Sequence, residues 1–234
     1  MISVVIPVYN AEKYIEEALA SVMAQTRAAD EILFVDDGST DGSASRPRPP
    51  CARYIGLRHC GIAPTRNQGV QAARGEFLGF LDADDLWAPE KLAAQMAAFE
   101  EDPELDMVFG EVEQFLSPEL DLEATSRLHL QAAPVPGLLA GSMLIRREAF
   151  LRVGLFSEEW QIGEFIDWYA RAVDLELKSL VLPQVVLRRR LHTTNSGIVQ
   201  RSARSDYVKI LRRTLERRRA KNPPRPTAGD DSVT

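Results

Sequence analysis

The sequence predicts a single α/β domain built around a mostly parallel sheet, and three observations carry that reading. Short apolar runs rich in β-branched residues, beginning with Ile2 to Val8 and Glu31 to Asp36, alternate with segments of helical periodicity. Several of these runs stop abruptly in polar or acidic clusters, above all Asp36-Asp37 and Asp82-Ala83-Asp84-Asp85. Open α/β sheets bind their ligands beyond the carboxyl ends of the strands, where such clusters would fall. At 234 residues and 45% apolar content, the chain has enough material for one large domain or a domain with an extension.

Taken in order, Ile2 to Val8 reads as a strand buried on both faces, with Asn10 as the N-cap of the helix after it. From Ala11 to Gln25, residues Tyr14, Ile15, Ala18, Leu19, Val22 and Met23 form one helical face. Glu31 to Asp36 is the second strand, which completes a right-handed βαβ unit. The stretch from Ser43 to Ala52 is too rich in Pro and Arg for a helix. Arg53 to Leu57 is a short third strand, and Gly61 to Ala73 a weakly amphipathic helix ended by Gly75. Phe77 to Leu81 is the central strand, followed by a helix over Pro89 to Glu100. Strands are then expected at Met107 to Phe115, Leu177 to Leu182 and Val185 to Leu191, with helices at Arg147 to Val153 and Gly163 to Ala172. Ser117 to Pro136 is polar and bounded by Pro, as expected of a loop or flap.

Composition narrows the function. The longest apolar runs are too short to span a bilayer, and no signal-peptide pattern follows Met1. Cys51 and Cys60 match no zinc spacing and read as reduced thiols of a cytoplasmic protein. Residues 1–200 carry 18 basic and 30 acidic side chains, whereas residues 201–226 carry ten basic and two acidic. No nucleic-acid partner is expected of so acidic a body. The basic stretch has Tyr207, Ile210, Leu211, Thr214 and Leu215 at helical spacing, the pattern of an amphipathic helix. It either docks its apolar stripe on the acidic body or lies on an anionic membrane. The stripe is short and lacks Trp or Phe, so the expectation is docking with at most weak peripheral membrane contact.

The carboxylates Asp82, Asp84 and Asp85 suit a hard cation held jointly with phosphate, but they equally suit the acidic N-cap of the helix that Pro89 opens. Asp36 and Asp37 suit nucleotide binding or plain turn chemistry. No Gly-x-Gly-x-x-Gly follows the first strand, which excludes a dinucleotide-binding dehydrogenase.

Four motifs in order decide among these. They are Val4-Val5-Ile6-Pro7-Val8-Tyr9-Asn10, the stretch from Val35 to Gly42, Arg66-Asn67-Gln68-Gly69, and Leu81-Asp82-Ala83-Asp84-Asp85. Together they resemble the family 2 glycosyltransferases of GT-A fold, closely over the first hundred residues and loosely over 137–198. The resemblance implies an α/β sandwich around a mostly parallel central sheet. It would have a nucleotide-sugar-binding half (1–105) and an acceptor-side half (106–200); composition and spacing, not the resemblance, add a basic helix (201–222) and a Pro-rich, polar disordered tail (223–234). It implies an inverting transfer of sugar from a nucleotide-diphosphate sugar to an acceptor hydroxyl, with Mn²⁺ or Mg²⁺. The acceptor (saccharide, lipid-linked or peptide) is left open.

Carried over by position, Pro7, Val8 and Tyr9 would line the nucleotide pocket, and Asp36 or Asp37 would hold base or ribose. Arg66 would sit near the diphosphate, Asp82 near sugar or ribose and metal, and Asp84 on the metal. Gly163-Glu164-Phe165-Ile166-Asp167-Trp168 resembles the acidic acceptor-side motif. Asp167 is then the expected general base with Glu164 beside it, although acids also favour a helix N-terminus without catalysis. His192 would be an additional metal ligand or a structural histidine, and Arg190 (or Arg189) would bind leaving-group phosphate. The segment Ala44 to Ala52 departs from the family, which has a helix there. That departure keeps a non-catalytic nucleotide-sugar-binding relative in view; a nucleotidyltransferase is the other alternative.

Overall fold

The computed structural model describes residues 1–120, 125, 130–195 and 205–221. One sheet runs through the molecule in the order β3 (Ala52–Gly56), β2 (Glu31–Asp36), β1 (Ile2–Val8), β4 (Phe77–Phe80), β8 (Leu144–Arg146), β6 (Met107–Leu116), β9 (Ser179–Leu191) and β5 (Leu86–Trp87), with β7 (Val135–Gly137) added on β6. Its first part, β3, β2, β1 and β4, is wholly parallel. β8 runs antiparallel between β4 and β6, and β6 pairs in parallel with β9. The two expected halves therefore share a single sheet.

Strands β1 and β2 are buried at every residue because helices cover both faces. On one face Val4, Ile6 and Val8 meet α1 (Ile15–Met23) and α3 (Lys91–Glu101) through Ile15, Leu19, Leu92 and Phe99. On the other, Val5, Leu33 and Phe80 meet α2 (Ile62–Ala72), α4 (Arg147–Val153) and α5 (Glu164–Asp174) through Val70, Phe150 and Trp168. Helix α2 lies so close to β1 that a Cβ on Gly69 would stand 2.3 Å from Val5 Cγ1. Among the described residues, no helix is long and apolar enough to cross a membrane.

Several boundaries differ from the sequence expectation for physical reasons. Asn10 caps nothing: it adopts φ 48°, which Asn tolerates, and its Oδ1 accepts from Thr40 N at 2.8 Å. Ala11 N is likewise taken by Ser43 Oγ, so α1 starts only at Ile15. Helix α2 ends at Ala72 with Ala73 as its C-cap, and Gly75, the expected terminator, instead donates its N–H to Ser3 Oγ at 2.8 Å. The acidic cluster does not cap α3, because the two-residue strand β5 (Leu86–Trp87) intervenes and pairs with β9. The two strands expected after Leu177 are one. Pro183, which lacks an N–H, sits in a bulge where the β6 pairing shifts register.

Segment 44–52 contains no α-helix, only the end of a short 3₁₀ turn (Gly42–Ser45), and it is pinned. Arg46 reaches Glu12 and Glu16, and the Arg48 guanidinium lies 4.7 Å from the Tyr54 ring centroid and 5.2 Å from that of Phe34. The basic stretch forms α6 (Ser205–Lys221), docked on α5 through Ile210 and Thr214. Of the expected flap, 121–124 and 126–129 lie outside the described residues, as does the expected disordered tail.

Lys91 opens α3 in full burial. Its Nζ donates to Gln95 Oε1 and Ser142 O, both at 2.9 Å, and lies 4.8 Å from the Trp87 ring centroid. Burial, with no carboxylate partner among the described residues, pushes its pKa well below that of an ordinary lysine. The unfolded chain then holds a proton that the native chain releases at lower pH. Stability should therefore rise as pH climbs from the native pKa toward the unfolded value of about 10.4. In urea unfolding, wild type should gain stability over Lys91→Met as pH rises toward about 10. Parallel pH curves would refute this account of Lys91.

Candidate active site

The carboxyl ends of β1, β2 and β4, the start of α5 and the end of β9 converge on one surface. Pro7 and Val8 are buried and form its floor, while Tyr9 is 46% exposed and stacks on His59 at a ring separation of 4.1 Å. Asp36 and Asp37 are buried, and loop donors occupy their oxygens. Asp36 accepts from Ser39 N and from the Tyr54 hydroxyl at 2.8 Å, a bond that raises the Tyr54 pKa. Asp37 accepts from Cys60 N at 2.7 Å and Gly61 N at 2.9 Å, and lies 2.9 Å from His59 Nδ1. In this arrangement both carboxylates tie the β2 exit to neighbouring chain, as turn chemistry alone would have them do.

Arg66, on α2, is buried between two carboxylates. One guanidinium nitrogen donates to Asp82 at the end of β4, and another to Glu164 at the start of α5. Burial opposes its charge, but Asp82 and Glu164 outweigh that effect and hold its pKa above the ordinary value. Its Nε is buried with no hydrogen-bond partner among the described residues. The next residue, Asn67, clamps the chain leading into α5, with bonds of 3.0 Å to Phe156 N, Phe156 O and Glu158.

Asp84 Oδ2 lies 2.9 Å from His192 Nε2, and Thr194 Oγ1 engages the other ring nitrogen at 2.7 Å. A carboxylate oxygen and an imidazole nitrogen this close form a partial donor set for Mn²⁺ or Mg²⁺, which complete their coordination with phosphate and water. Asp82 is turned toward Arg66 instead. No cluster of three or more His, Cys, Asp or Glu is arranged for a metal among the described residues. Asp85 is buried behind this pair and accepts from Arg190 N at 2.8 Å. Burial first, then Asp84 and Asp82, push its carboxyl well above the usual range, so one of the three acids is easily neutralised.

Arg190 is committed within the chain. Its guanidinium is buried, donates to Asp84 O and Glu17, and lies over the Tyr14 and Phe115 rings. Asp167 is also committed: it is buried and accepts from Arg171 Nε at 3.0 Å, while Arg171 caps the carbonyls of Val153 and Leu155. Glu164 is therefore joined to the strand-end cluster through Arg66, and Asp167 faces the α4 side.

Sequence reasoning missed several members of this surface. Tyr14 read as an apolar helix position, yet its ring lies 4.9 Å from His192 and its hydroxyl donates to Glu119. Bonds from Ser117 and Tyr14 lower the Glu119 pKa to about 2. Glu17, Asn195 and His59 were missed as well, because no local pattern announces their partners.

If Arg66 holds the two halves together, Arg66→Met should destabilise the protein by about 3 kcal/mol, the scale for stranding a buried charge. Glu164→Gln in that background should recover part of the loss, as read by a double-mutant cycle of urea unfolding. Additive effects would show that the contact contributes nothing.

A family profile described as glycosyl transferase family 2 matches residues 3–154. An uncharacterised glycosyltransferase of Rickettsia typhi is 29% identical over 226 residues, covering 86% of this chain and 68% of that protein. One of Rickettsia conorii is 40% identical over 104 residues, 43% of this chain and 17% of its own length. Among solved structures, S. aureus TarS 1–349 superposes with a TM-score of 0.63 at 26% identity, covering 81% of this chain and 60% of that one. TarS has also been crystallised with UDP-GlcNAc. The chain thus spans only part of several of these relatives.

Proposed function

The chain belongs to glycosyl transferase family 2, and from that premise we propose that it transfers a sugar from a nucleotide-diphosphate sugar to an acceptor hydroxyl, with inversion and with Mn²⁺ or Mg²⁺. The observation that carries this reading is the pairing of Asp84 with His192 beside the Arg66 cluster at the strand ends. The UDP-GlcNAc complex of TarS makes uridine donors the first class to test. We also assign the work to the cytoplasm, which the free thiols Cys51 and Cys60 support.

In this mechanism Tyr9 offers an aromatic face to the base, and Asp84 and His192 would hold the cation. When bound, the cation supplies Lewis-acid neutralisation of the diphosphate. Arg66 adds fixed positive charge in a site where burial strengthens it. The acceptor oxygen attacks the anomeric carbon as the bond from that carbon to the diphosphate oxygen breaks. The acceptor proton passes to a carboxylate. Both candidates pair with an arginine, and the geometry favours Glu164 because its partner Arg66 belongs to the strand-end cluster, whereas Asp167 pairs with Arg171 on the α4 side.

Calorimetric titration with UDP, GDP and TDP sugars in Mn²⁺ tests the donor, and Asp84→Ala or EDTA should abolish that binding. Glu164→Gln should keep most donor affinity while cutting nucleotide release by about 10²-fold or more. Asp167→Asn should chiefly lower stability. Donor affinity indifferent to EDTA would remove the metal from the proposal, and wild-type turnover in Glu164→Gln would remove Glu164.

A further inference from the structure

Helix α6 has two apolar faces, and the chain uses one. Ile210 and Thr214 are buried against α5, Asp206 accepts from Gln161 N at 3.1 Å, and Arg217 and Arg218 close on Asp174. On the adjoining face Tyr207, Val208, Leu211 and Leu215 follow at helical spacing and are between 41% and 69% exposed. Tyr207 and Leu211, with half-exposed Ile166 of α5, border an open groove of about 390 Å³. Single exposed apolar residues are ordinary, whereas a continuous stripe rimmed by charge marks an interaction surface.

Charge indicates the partner. Arg212 stands four residues after Val208, and Arg219 four after Leu215, so exposed guanidiniums line the stripe. From Ser205 to Lys221 the helix has seven basic and two acidic residues, against 18 basic and 30 acidic in residues 1–200. The charge is therefore uneven along the chain, with α6 as its basic segment, although Lys209, Arg212, Arg213, Arg217 and Arg218 also pair with Asp206, Glu216, Glu159 and Asp174. An anionic surface attracts that segment and repels the body, an orientation that turns the exposed stripe toward the surface.

We propose that this second face of α6 docks on an anionic lipid bilayer, with α6 lying along the headgroup boundary. Tyr207, Leu211 and Leu215 enter the edge of the acyl region, and Arg212 and Arg219 meet lipid phosphates. Docking on α5 and contact with lipid then use different faces and coexist. Four apolar side chains without Trp or Phe make the contact shallow and reversible.

Co-sedimentation of the full chain with vesicles of phosphatidylglycerol and phosphatidylcholine, and of phosphatidylcholine alone, tests this at low and physiological salt. Binding is expected only to the anionic vesicles. It should weaken by about tenfold or more in Leu211→Glu/Leu215→Glu, and similarly in Arg212→Glu/Arg219→Glu. Unchanged melting temperatures should show that both variants keep α6 docked; a reduced melting temperature would move the test to the milder Leu211→Ser/Leu215→Ser. Absence of binding to anionic vesicles at low salt overturns the proposal. So does binding indifferent to the leucine substitutions, which would be charge attraction alone. A dimer in light scattering that Leu211→Glu/Leu215→Glu dissociates would assign the face to a second copy instead.

Discussion

Arg66 keeps its positive charge in the interior because carboxylates reach it from two directions, Asp82 from the end of β4 and Glu164 from the start of α5. Either acid alone would leave a large desolvation cost poorly offset, and removing the arginine would bring two negative charges toward one another. The contact fixes the distance between the strand-end surface and the helix that faces it. Asn67 repeats the constraint one residue later through the backbone of Phe156. The interaction thus fixes how the start of α5 sits against the strand ends, and the proposed chemistry depends on that spacing.

A second electrostatic balance lies beside it. Three acids within four residues would repel one another, and the chain answers each differently. Asp82 meets Arg66, Asp84 meets His192, and Asp85 withdraws into the interior with its carboxyl easily protonated. The divalent cation proposed for Asp84 and His192 would enter a site where one negative charge is already masked.

Local pattern made the strands, most helices and the acidic strand ends legible, because β-branched runs and helical periodicity are properties of neighbouring residues. Partners distant in sequence were not legible. Arg66 and Glu164 stand 98 residues apart, and Asp84 and His192 stand 108 apart. The first meeting depends on how α5 packs over α2, and the second on how β9 registers on β6 across a bulge. The same limit explains Asp167 and Arg190, acid and base of the expected chemical type, whose side chains are occupied by Arg171 and Glu17. Asn10 shows the converse case: its residue type suits an N-cap, but Thr40 from the next loop competes for its side chain and wins.

The stack of Tyr9 on His59 bears on how a planar ligand reaches the strand-end surface. At 4.1 Å between ring centres, the two rings are in contact, and no third planar group fits between them. An arriving aromatic ligand has two routes: it lies on the outer face of Tyr9 and extends the pile, or it takes the place of His59. The second route frees the imidazole from Asp37, 2.9 Å away. His59 is thereby a built-in sentinel, whose ring environment changes sharply along one route of entry and only slightly along the other.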